Sequence, residues 1–215
     1  MSPPELRVVE DIPEAAEQLV LEASPRTIAL SGGSTPRAVY ERLAGISFPW
    51  TEVDVFFGDD RCVPPDHPDS NYRMAREALL EHVPARVHPM DDCDADAYER
   101  ALHAVFGEGV PAFDLIFMGL GPDGHTASLF PGKPALEIRD HLAVYVPQPG
   151  LDPQHPRLTL TVPVFQNAKL MVFLVAGEDK RERVRQLLAG EDIPAARAVA
   201  PRTIILADPA AAPGV

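Results

Sequence analysis

An acid and an imidazole stand two residues apart in a glycine-rich turn, at Asp123 and His125. The turn follows an apolar run at residues 113–118, which predicts a buried strand, and the glycines and proline at 119–124 end that strand. A carboxylate and an imidazole at the carboxyl end of a strand suit proton transfer near neutral pH. A capping aspartate beside a surface histidine is the alternative that spacing alone leaves open.

A second glycine turn follows the apolar residues 27–30 and reads Ser31-Gly32-Gly33-Ser34-Thr35. Thr35 is predicted to cap a helix that begins at Pro36, where a missing N–H costs nothing. A strand, a glycine turn and a helix start aim free backbone N–H groups at an anion. The P-loop pattern is absent, so the turn suits a single phosphate. A tight turn with no ligand is the alternative.

Three basic residues follow strand ends or begin elements where an anion would be bound. Arg61 comes after Asp59 and Asp60, which we expect to hold it toward a substrate oxygen. Arg157 begins a predicted alternating strand, and Lys180 lies in the first turn of a helix, where a cation opposes the helix dipole. A solvated loop and a solvated helix start remain open as alternatives.

Other kinds of site are disfavoured. The pattern Gly119-x-Gly121-x-x-Gly124 matches a dinucleotide fingerprint by letter, but a proline and an aspartate fill the turn and the expected downstream acid is missing. HExxH and GxSxG are absent, and the remaining histidines show no metal-ligand spacing, so we expect no metal and no cofactor. Those histidines, expected to be structural or on the surface, are His67, His82, His88, His103, His141 and His155.

Composition limits the partners and the compartment. A formal net charge of −13 argues against nucleic acid and anionic membranes, and makes a local basic pocket necessary for an anionic substrate. Cys62 and Cys93 form no CxxC and no disulfide framework, which predicts a reducing cytoplasm. The N-terminus lacks a signal-peptide pattern, and no apolar run reaches the length of a membrane span.

Apolar strands alternate with amphipathic helices along the whole chain. Helices are expected at residues 12–23, 69–82, 94–106 and 180–188, and a last strand at 203–206 completes the sheet. The pattern predicts a Rossmann-like α/β fold, with a mostly parallel sheet flanked by helices on both faces. No linker or repeat divides it, so residues 1–215 are expected to form a single domain.

Taken together, five segments resemble the 6-phosphogluconolactonase family, within the glucosamine-6-phosphate isomerase superfamily. They are SGGSTPRAVYERLA, FFGDDRCVPPDHPDSNYRMAREALL, DLIFMGLGPDGHTASLFPG, PRLTLTVP and VAGEDKRERV. The family usually has GDER where this chain has Asp60 before Arg61. The resemblance implies a carboxylic ester hydrolase (EC 3.1.1.31) acting on a small-molecule substrate, 6-phospho-D-glucono-1,5-lactone, in the oxidative pentose phosphate pathway. It also leads us to expect a cytoplasmic monomer.

Site roles follow from the same resemblance. His125 is implied as the general base that activates water, and Asp123 as its partner, with Arg61 also in the catalytic group. Substrate-binding positions are implied at Ser31, Gly32, Gly33, Ser34, Thr35, Asp59, Arg157 and Lys180. Which basic residue meets the phosphate stays open.

Two other functions would use the same sequence features. A glucosamine-6-phosphate isomerase/deaminase would have Tyr at position 61 and Glu at position 130, where this chain has Arg61 and Phe130. A non-catalytic sugar-phosphate-binding module would keep the glycine turn and the basic residues without needing His125.

Overall fold

The computed structural model describes residues 3–214, which form two β-sheets and the helices around them. The strands are β1 (Glu5–Val8), β2 (Thr27–Leu30), β3 (Asp54–Phe57), β4 (Asp59–Arg61), β5 (Arg86–Val87), β6 (Leu115–Met118), β7 (Ala143–Val146), β8 (Arg157–Leu160), β9 (Met171–Val175) and β10 (Thr203–Ala207). The α-helices are α1 (Ile12–Ala23), α2 (Ser34–Leu43), α3 (Asn71–Ala75), α4 (Ala95–Phe106), α5 (Val162–Gln166), α6 (Arg181–Ala189) and α7 (Pro194–Arg197). A π-helical turn at Arg76–Leu80 continues α3.

The larger sheet has seven parallel strands in the order β1-β10-β9-β6-β2-β3-β5. Every residue of β6, β9 and β10 is buried. Successive residues of a strand point to opposite faces, so both faces of this sheet are covered, as parallel sheets require. The predicted α/β fold with a mostly parallel sheet is confirmed.

The chain reverses its direction of progress across the sheet between β2 and β6. From β2 it moves outward through β3 to β5, and from β6 it moves the other way through β9 to β10. At such a switch point the loops after two neighbouring strands separate and leave a crevice at their carboxyl ends. The loops concerned are the two glycine turns of the sequence.

The smaller sheet is antiparallel, with strand order β4-β8-β7. Only Gly58 separates the end of β3 from the start of β4, so the chain passes directly from the large sheet into the small one at the switch-point edge. Its register places Arg61 opposite Arg157 and Asp59 opposite Thr159. This sheet therefore brings the predicted basic residues to the same edge as the glycine turns.

One local prediction is wrong, and some strands were not predicted. Helix α2 begins at Ser34 and its N-cap is Gly33, not Thr35, because Gly33 turns the chain at φ 115°, a conformation that side-chain-bearing residues avoid. The predicted last strand at 203–206 is confirmed as β10, and β1 pairs beyond it at the edge of the sheet. β1 and β5 were not predicted, since both are short and largely unburied.

The predicted helix at 12–23 is confirmed with those bounds. The Asp11 side chain caps it by accepting a hydrogen bond from the Glu14 amide at 2.8 Å, and Ser24 ends it in a left-handed conformation. Across residues 3–214, every helix is too short or too polar to cross a bilayer.

Candidate active site

A cavity of about 170 Å³ opens between the two glycine turns and the small sheet. It is lined by Ser31, Gly32, Gly33, Asp59, Arg61, Asn71, Gly119, Leu120, Gly121, His125, Thr126, Ala127 and Arg157. Residues predicted from four separate stretches of sequence therefore meet in one place. His125 and the glycine turn at 31–33 face the same space, as a single sugar-phosphate ligand would require.

His125 and Asp123 form a hydrogen-bonded pair. The Nδ1 atom of His125 lies 2.5 Å from Oδ1 of Asp123, and the backbone N–H of His125 donates to the same oxygen at 3.0 Å. Burial acts to raise the pKa of Asp123, but the two hydrogen bonds from His125 outweigh it, so this pKa lies below its usual range. An ionised carboxylate only accepts hydrogen bonds, so Nδ1 carries the proton and Nε2 of a neutral ring has a free lone pair.

Glycine is required at two positions of this turn. A Cβ atom at Gly121 would lie 2.0 Å from Nδ1 of His125, where the imidazole already stands. Gly124 has φ +85°, and a Cβ there would come within 2.9 Å of Ile193. The backbone N–H of Gly121 donates to the carbonyl of His125 at 2.8 Å, which closes the turn and fixes the ring's position.

Gly32 is needed for a similar reason on the other side of the cavity. A Cβ atom there would lie 2.0 Å from the Oδ1 atom of Asn71. Asn71 donates from Nδ2 to the carbonyl of Asp59 at 2.9 Å, which links the glycine turn to the small sheet. Asn71 was not predicted as a site residue, because its role depends on a contact with a distant glycine.

Ser34 and Thr35 form the first turn of α2 rather than lining the cavity. Gly33 has no side chain with which to cap the backbone N–H groups of that turn. The positive end of the α2 dipole and these N–H groups therefore lie beside the cavity wall formed by residues 31–33.

Arg61 and Arg157 are direct partners across the antiparallel pair of β4 and β8. Backbone carbonyls hold both: Nη1 of Arg61 donates to Asp69 at 2.8 Å, and Nε of Arg157 donates to His155 at 3.2 Å. Like charges that face each other on one strand pair are unfavourable. A bound anion between the two guanidinium groups would remove that repulsion.

Arg157 is buried, with 4% of its surface exposed. Burial lowers its pKa, the negative charge of Asp59 opposes that effect, and the nearby Arg61 adds to it. A guanidinium group keeps its proton under such a shift. Arg157 therefore places a buried positive charge in the cavity wall. Its electrostatic attraction to an anion is stronger there than at an open surface.

Asp59 and Asp60 occupy different environments. Asp59 accepts a hydrogen bond from the hydroxyl of Ser128 at 2.6 Å and lines the cavity. Asp60 accepts from the backbone N–H groups of Asn71 and Tyr72 at 2.6 and 2.9 Å, which anchors the start of α3. Burial raises the pKa of Asp60, and these backbone hydrogen bonds counteract it. Asp60, which stands where the family usually has the longer Glu, therefore anchors the loop before α3. The Asp69 carbonyl of that loop binds Arg61.

Two polar atoms at the cavity lack partners. In the part of the chain that the structure describes, four buried side-chain polar atoms make no hydrogen bond, and Ser31 Oγ and Arg61 Nε are two of them. Both residues line the cavity. Buried donors are normally satisfied, so two unused groups in one cavity indicate a polar ligand.

Lys180 does not line this cavity. It ends the short turn Glu178–Lys180 before α6, and its ammonium group lies 3.2 Å from a carboxylate oxygen of Asp179. Its predicted role in substrate binding stays a prediction.

A larger cavity, of about 790 Å³, adjoins the site on the other side of Asp60 and Arg61. The smaller cavity is the candidate active site because His125 and the glycine turn line it. The larger cavity is lined mostly by residues 62–65 and 89–93. The Cα atoms of Cys62 and Cys93 lie 5.3 Å apart, a separation that a disulfide spans. This juxtaposition was not predicted, because two cysteines separated by 31 residues in sequence form no recognisable motif.

Comparison with known proteins gives a consistent family. Residues 5–206 match the family model described as glucosamine-6-phosphate isomerases/6-phosphogluconolactonase. A 6-phosphogluconolactonase of Synechocystis sp. is 46% identical over 187 residues, which are 81% of this chain and 76% of that protein. One from Thermotoga maritima is 35% identical over 198 residues, covering 87% of this chain and 86% of that protein.

Solved structures extend the agreement to the fold. The 6-phosphogluconolactonase from Trypanosoma brucei superposes with a TM-score of 0.87 at 29% identity, covering 98% of each chain. A monomeric glucosamine-6-phosphate deaminase superposes with a TM-score of 0.78 at 18% identity over 96% of this chain and 98% of its own, which shows a shared fold alone. The site geometry, the family match and these relatives agree, and the chain belongs to the glucosamine-6-phosphate isomerase/6-phosphogluconolactonase family.

Proposed function

We propose that this chain hydrolyses 6-phospho-D-glucono-1,5-lactone to 6-phospho-D-gluconate, as a carboxylic ester hydrolase of the oxidative pentose phosphate pathway. The observation that carries the proposal is one cavity shared by a carboxylate-oriented imidazole, a glycine turn at a helix start and two facing arginines. Relatives named 6-phosphogluconolactonase at up to 46% identity support the choice of lactone.

His125 acts as the general base. Asp123 accepts a hydrogen bond from Nδ1–H, so the lone pair of Nε2 is free to take a proton from water as the water oxygen attacks the lactone carbonyl carbon. A tetrahedral intermediate forms, and the carbonyl electrons move onto its oxygen. The carboxylate of Asp123 stabilises the imidazolium that this step creates.

Breakdown of the intermediate returns the proton. The electron pair on the oxyanion re-forms the carbonyl, the bond from C1 to the ring oxygen breaks, and the imidazolium donates its proton to that oxygen. The products are a carboxylic acid, which ionises, and the C5 hydroxyl group. Donors at the cavity stabilise the oxyanion, and the guanidinium groups of Arg61 and Arg157 are the strongest available. A lactone is an activated ester, so the step needs neither a metal nor a covalent nucleophile.

The phosphate serves as a handle that fixes the distant carbonyl. Its binding energy orients the ring, which lowers the entropic cost of bringing the carbonyl to the base. The wall at Ser31–Gly33 and the start of α2 supply N–H groups for it, with the charge of the arginines opposite. Lys180, Ser34 and Thr35 are proposed as further phosphate contacts.

An aldose-ketose isomerase or deaminase is the main rival, and Phe130 disfavours it. The Phe130 ring is 1% exposed and its centroid lies 4.6 Å from that of His125. The deaminase pattern has a glutamate at this position to support the histidine during ring opening. An apolar ring here leaves Asp123 as the carboxylate that His125 contacts.

The test is a comparison of two substrates. Wild-type protein is expected to hydrolyse freshly made 6-phosphogluconolactone well above the spontaneous rate, and to release no ammonia from glucosamine 6-phosphate. Ammonia release without lactone hydrolysis would reverse the assignment. A protein that binds 6-phosphogluconate but accelerates neither reaction would be a binding module.

We also propose that the chain acts as a monomeric single domain in the cytoplasm, on a small molecule rather than on nucleic acid. Its formal net charge of −13 supports the exclusion of nucleic acid. Sedimentation equilibrium at several loading concentrations tests the oligomeric state, and a mass of two chains would contradict it.

A further inference from the structure

Three side chains outside the cavity converge on one point: His67, Asp69 and His155. One potential ligand atom from each lies within 4.8 Å of the others. Nε2 of His155 is 3.0 Å from Oδ2 of Asp69, and Nδ1 of His67 is 3.8 Å from the same oxygen. Each side chain is 34–39% exposed, so an ion from solvent can reach them.

Two imidazoles and one carboxylate form a donor set for a first-row divalent cation. Zinc takes nitrogen and oxygen ligands at about 2.0–2.2 Å, so two ligands of a tetrahedral site lie roughly 3.3 Å apart. The separations of 3.0 and 3.8 Å lie on either side of that value. Three protein ligands leave one coordination position for water.

Hydrogen bonds already hold the imidazole rings of His67 and His155 near the positions that metal ligands would occupy. The backbone N–H of Asp69 donates to Nδ1 of His67 at 3.1 Å, so Nδ1 is the unprotonated nitrogen of that ring. Metal binding would exchange that hydrogen bond for a coordinate bond. Nε2 of His155, now on the Asp69 carboxylate, would give up its proton, as metal-bound imidazole requires.

The same residues hold the arginines of the cavity through their backbone carbonyls. Asp69 accepts from Arg61, and His155 accepts from Arg157. His67 and Asp69 lie on the loop before α3, and His155 lies just before β8. We propose that His67, Asp69 and His155 form a zinc-type divalent metal site that fastens these two segments together behind the arginines. No step of the reaction passes through this ion.

Zinc titration of tag-free, full-length protein by calorimetry tests the proposal. Wild type is expected to bind one equivalent saturably and to unfold at a higher temperature with zinc present. Asp69→Asn and His155→Gln are each expected to weaken zinc binding at least about tenfold. His82→Gln is the matched control, since that histidine bonds the carbonyl of Glu77 elsewhere and should leave zinc affinity unchanged.

His125→Gln distinguishes this site from the Asp123–His125 pair, and zinc binding should survive that change. Circular dichroism checks the fold of each variant, and His67→Gln replaces any that does not fold. The proposal is overturned if wild type shows no saturable binding, if the ligand variants bind as wild type does, or if His125→Gln abolishes binding. Because the titration needs no substrate, its failure would leave the proposed hydrolysis untouched.

Discussion

The position of the His125 ring depends on the absence of a side chain at Gly121. Gly121→Ala would put a methyl group 2.0 Å from Nδ1 of His125, so the ring must move away from Asp123. We expect lactone hydrolysis to fall at least about tenfold, since small misplacements of a catalytic group are costly. Steady-state kinetics, with thermal unfolding to confirm the fold, measure this.

Gly45→Ala is the control for that change. A Cβ atom there would meet its nearest neighbour, a carbonyl oxygen, at 3.5 Å, which is ordinary contact far from the cavity. Its activity should match wild type. Equal activity of Gly121→Ala and wild type would show that the ring position seen here is not the catalytic one.

The sequence indicated the principal titratable pair but not its surroundings. Asp123 and His125 could be predicted because two residues and their glycines lie in one short turn. Asn71 and Ser128 could not, because each acts on Asp59 or Gly32 across a long stretch of chain. A role that exists only through a distant contact leaves no local pattern.

The edge pairing of β3 with β5 is fastened by Asp54, which accepts hydrogen bonds from Arg86 at 2.7 Å and from His88 at 2.8 Å. The bond from Arg86 lowers the pKa of Asp54, burial opposes this, and the bond from His88 adds to the lowering. A carboxyl whose pKa is lower in the folded state adds stability above its unfolded pKa, and this is lost as pH falls through the folded value.

Asp54→Asn should therefore lower the free energy of unfolding near pH 7 by about 1 kcal/mol, the net worth of a typical hydrogen bond. The difference from wild type should vanish in acid, where the wild-type carboxyl is also neutral. Urea unfolding across pH 2–7 measures it. Glu41→Gln, in an exposed pair with Arg37, is the control and should change little. A constant difference at every pH would contradict the ionic account.

Cys62, the residue after β4, faces Cys93 in the turn before α4, at a Cα separation that a disulfide spans. A disulfide here would close a loop with a sequence separation of 31, for which a crosslink typically adds about 2–4 kcal/mol. Dithiothreitol should lower the unfolding temperature of wild type and leave the Cys62→Ser, Cys93→Ser double variant unaffected. Two titratable thiols in unfolded, unreduced protein would contradict the bond.

Element starts and edges were the least predictable parts of the fold. Thr35 has the side chain of a good cap, but the helix is capped two residues earlier, at Gly33, because glycine allows φ 115° there. The small antiparallel sheet was not foreseen, since β4 reads as the continuation of β3. Short strands carry little hydrophobic periodicity, so their pairing depends on the rest of the molecule.

Alternation of strands and helices, by contrast, was enough to predict the parallel sheet, and the order of that sheet explains the location of the site. β2 and β6 are neighbours at the point where the chain reverses direction, so both glycine turns border one crevice. The small sheet then brings Asp59, Arg61 and Arg157 over that crevice. An acidic molecule thus presents a locally basic cavity to an anionic sugar.

His125→Ala tests the central claim most directly, by separating catalysis from binding. Removal of the base should lower lactone hydrolysis at least about a hundredfold, while the dissociation constant for 6-phosphogluconate changes little. Stopped assays corrected for spontaneous hydrolysis, together with calorimetric titration of the product, give both numbers. Unchanged hydrolysis would contradict the account, and so would a loss of product binding that fully explains the lost activity.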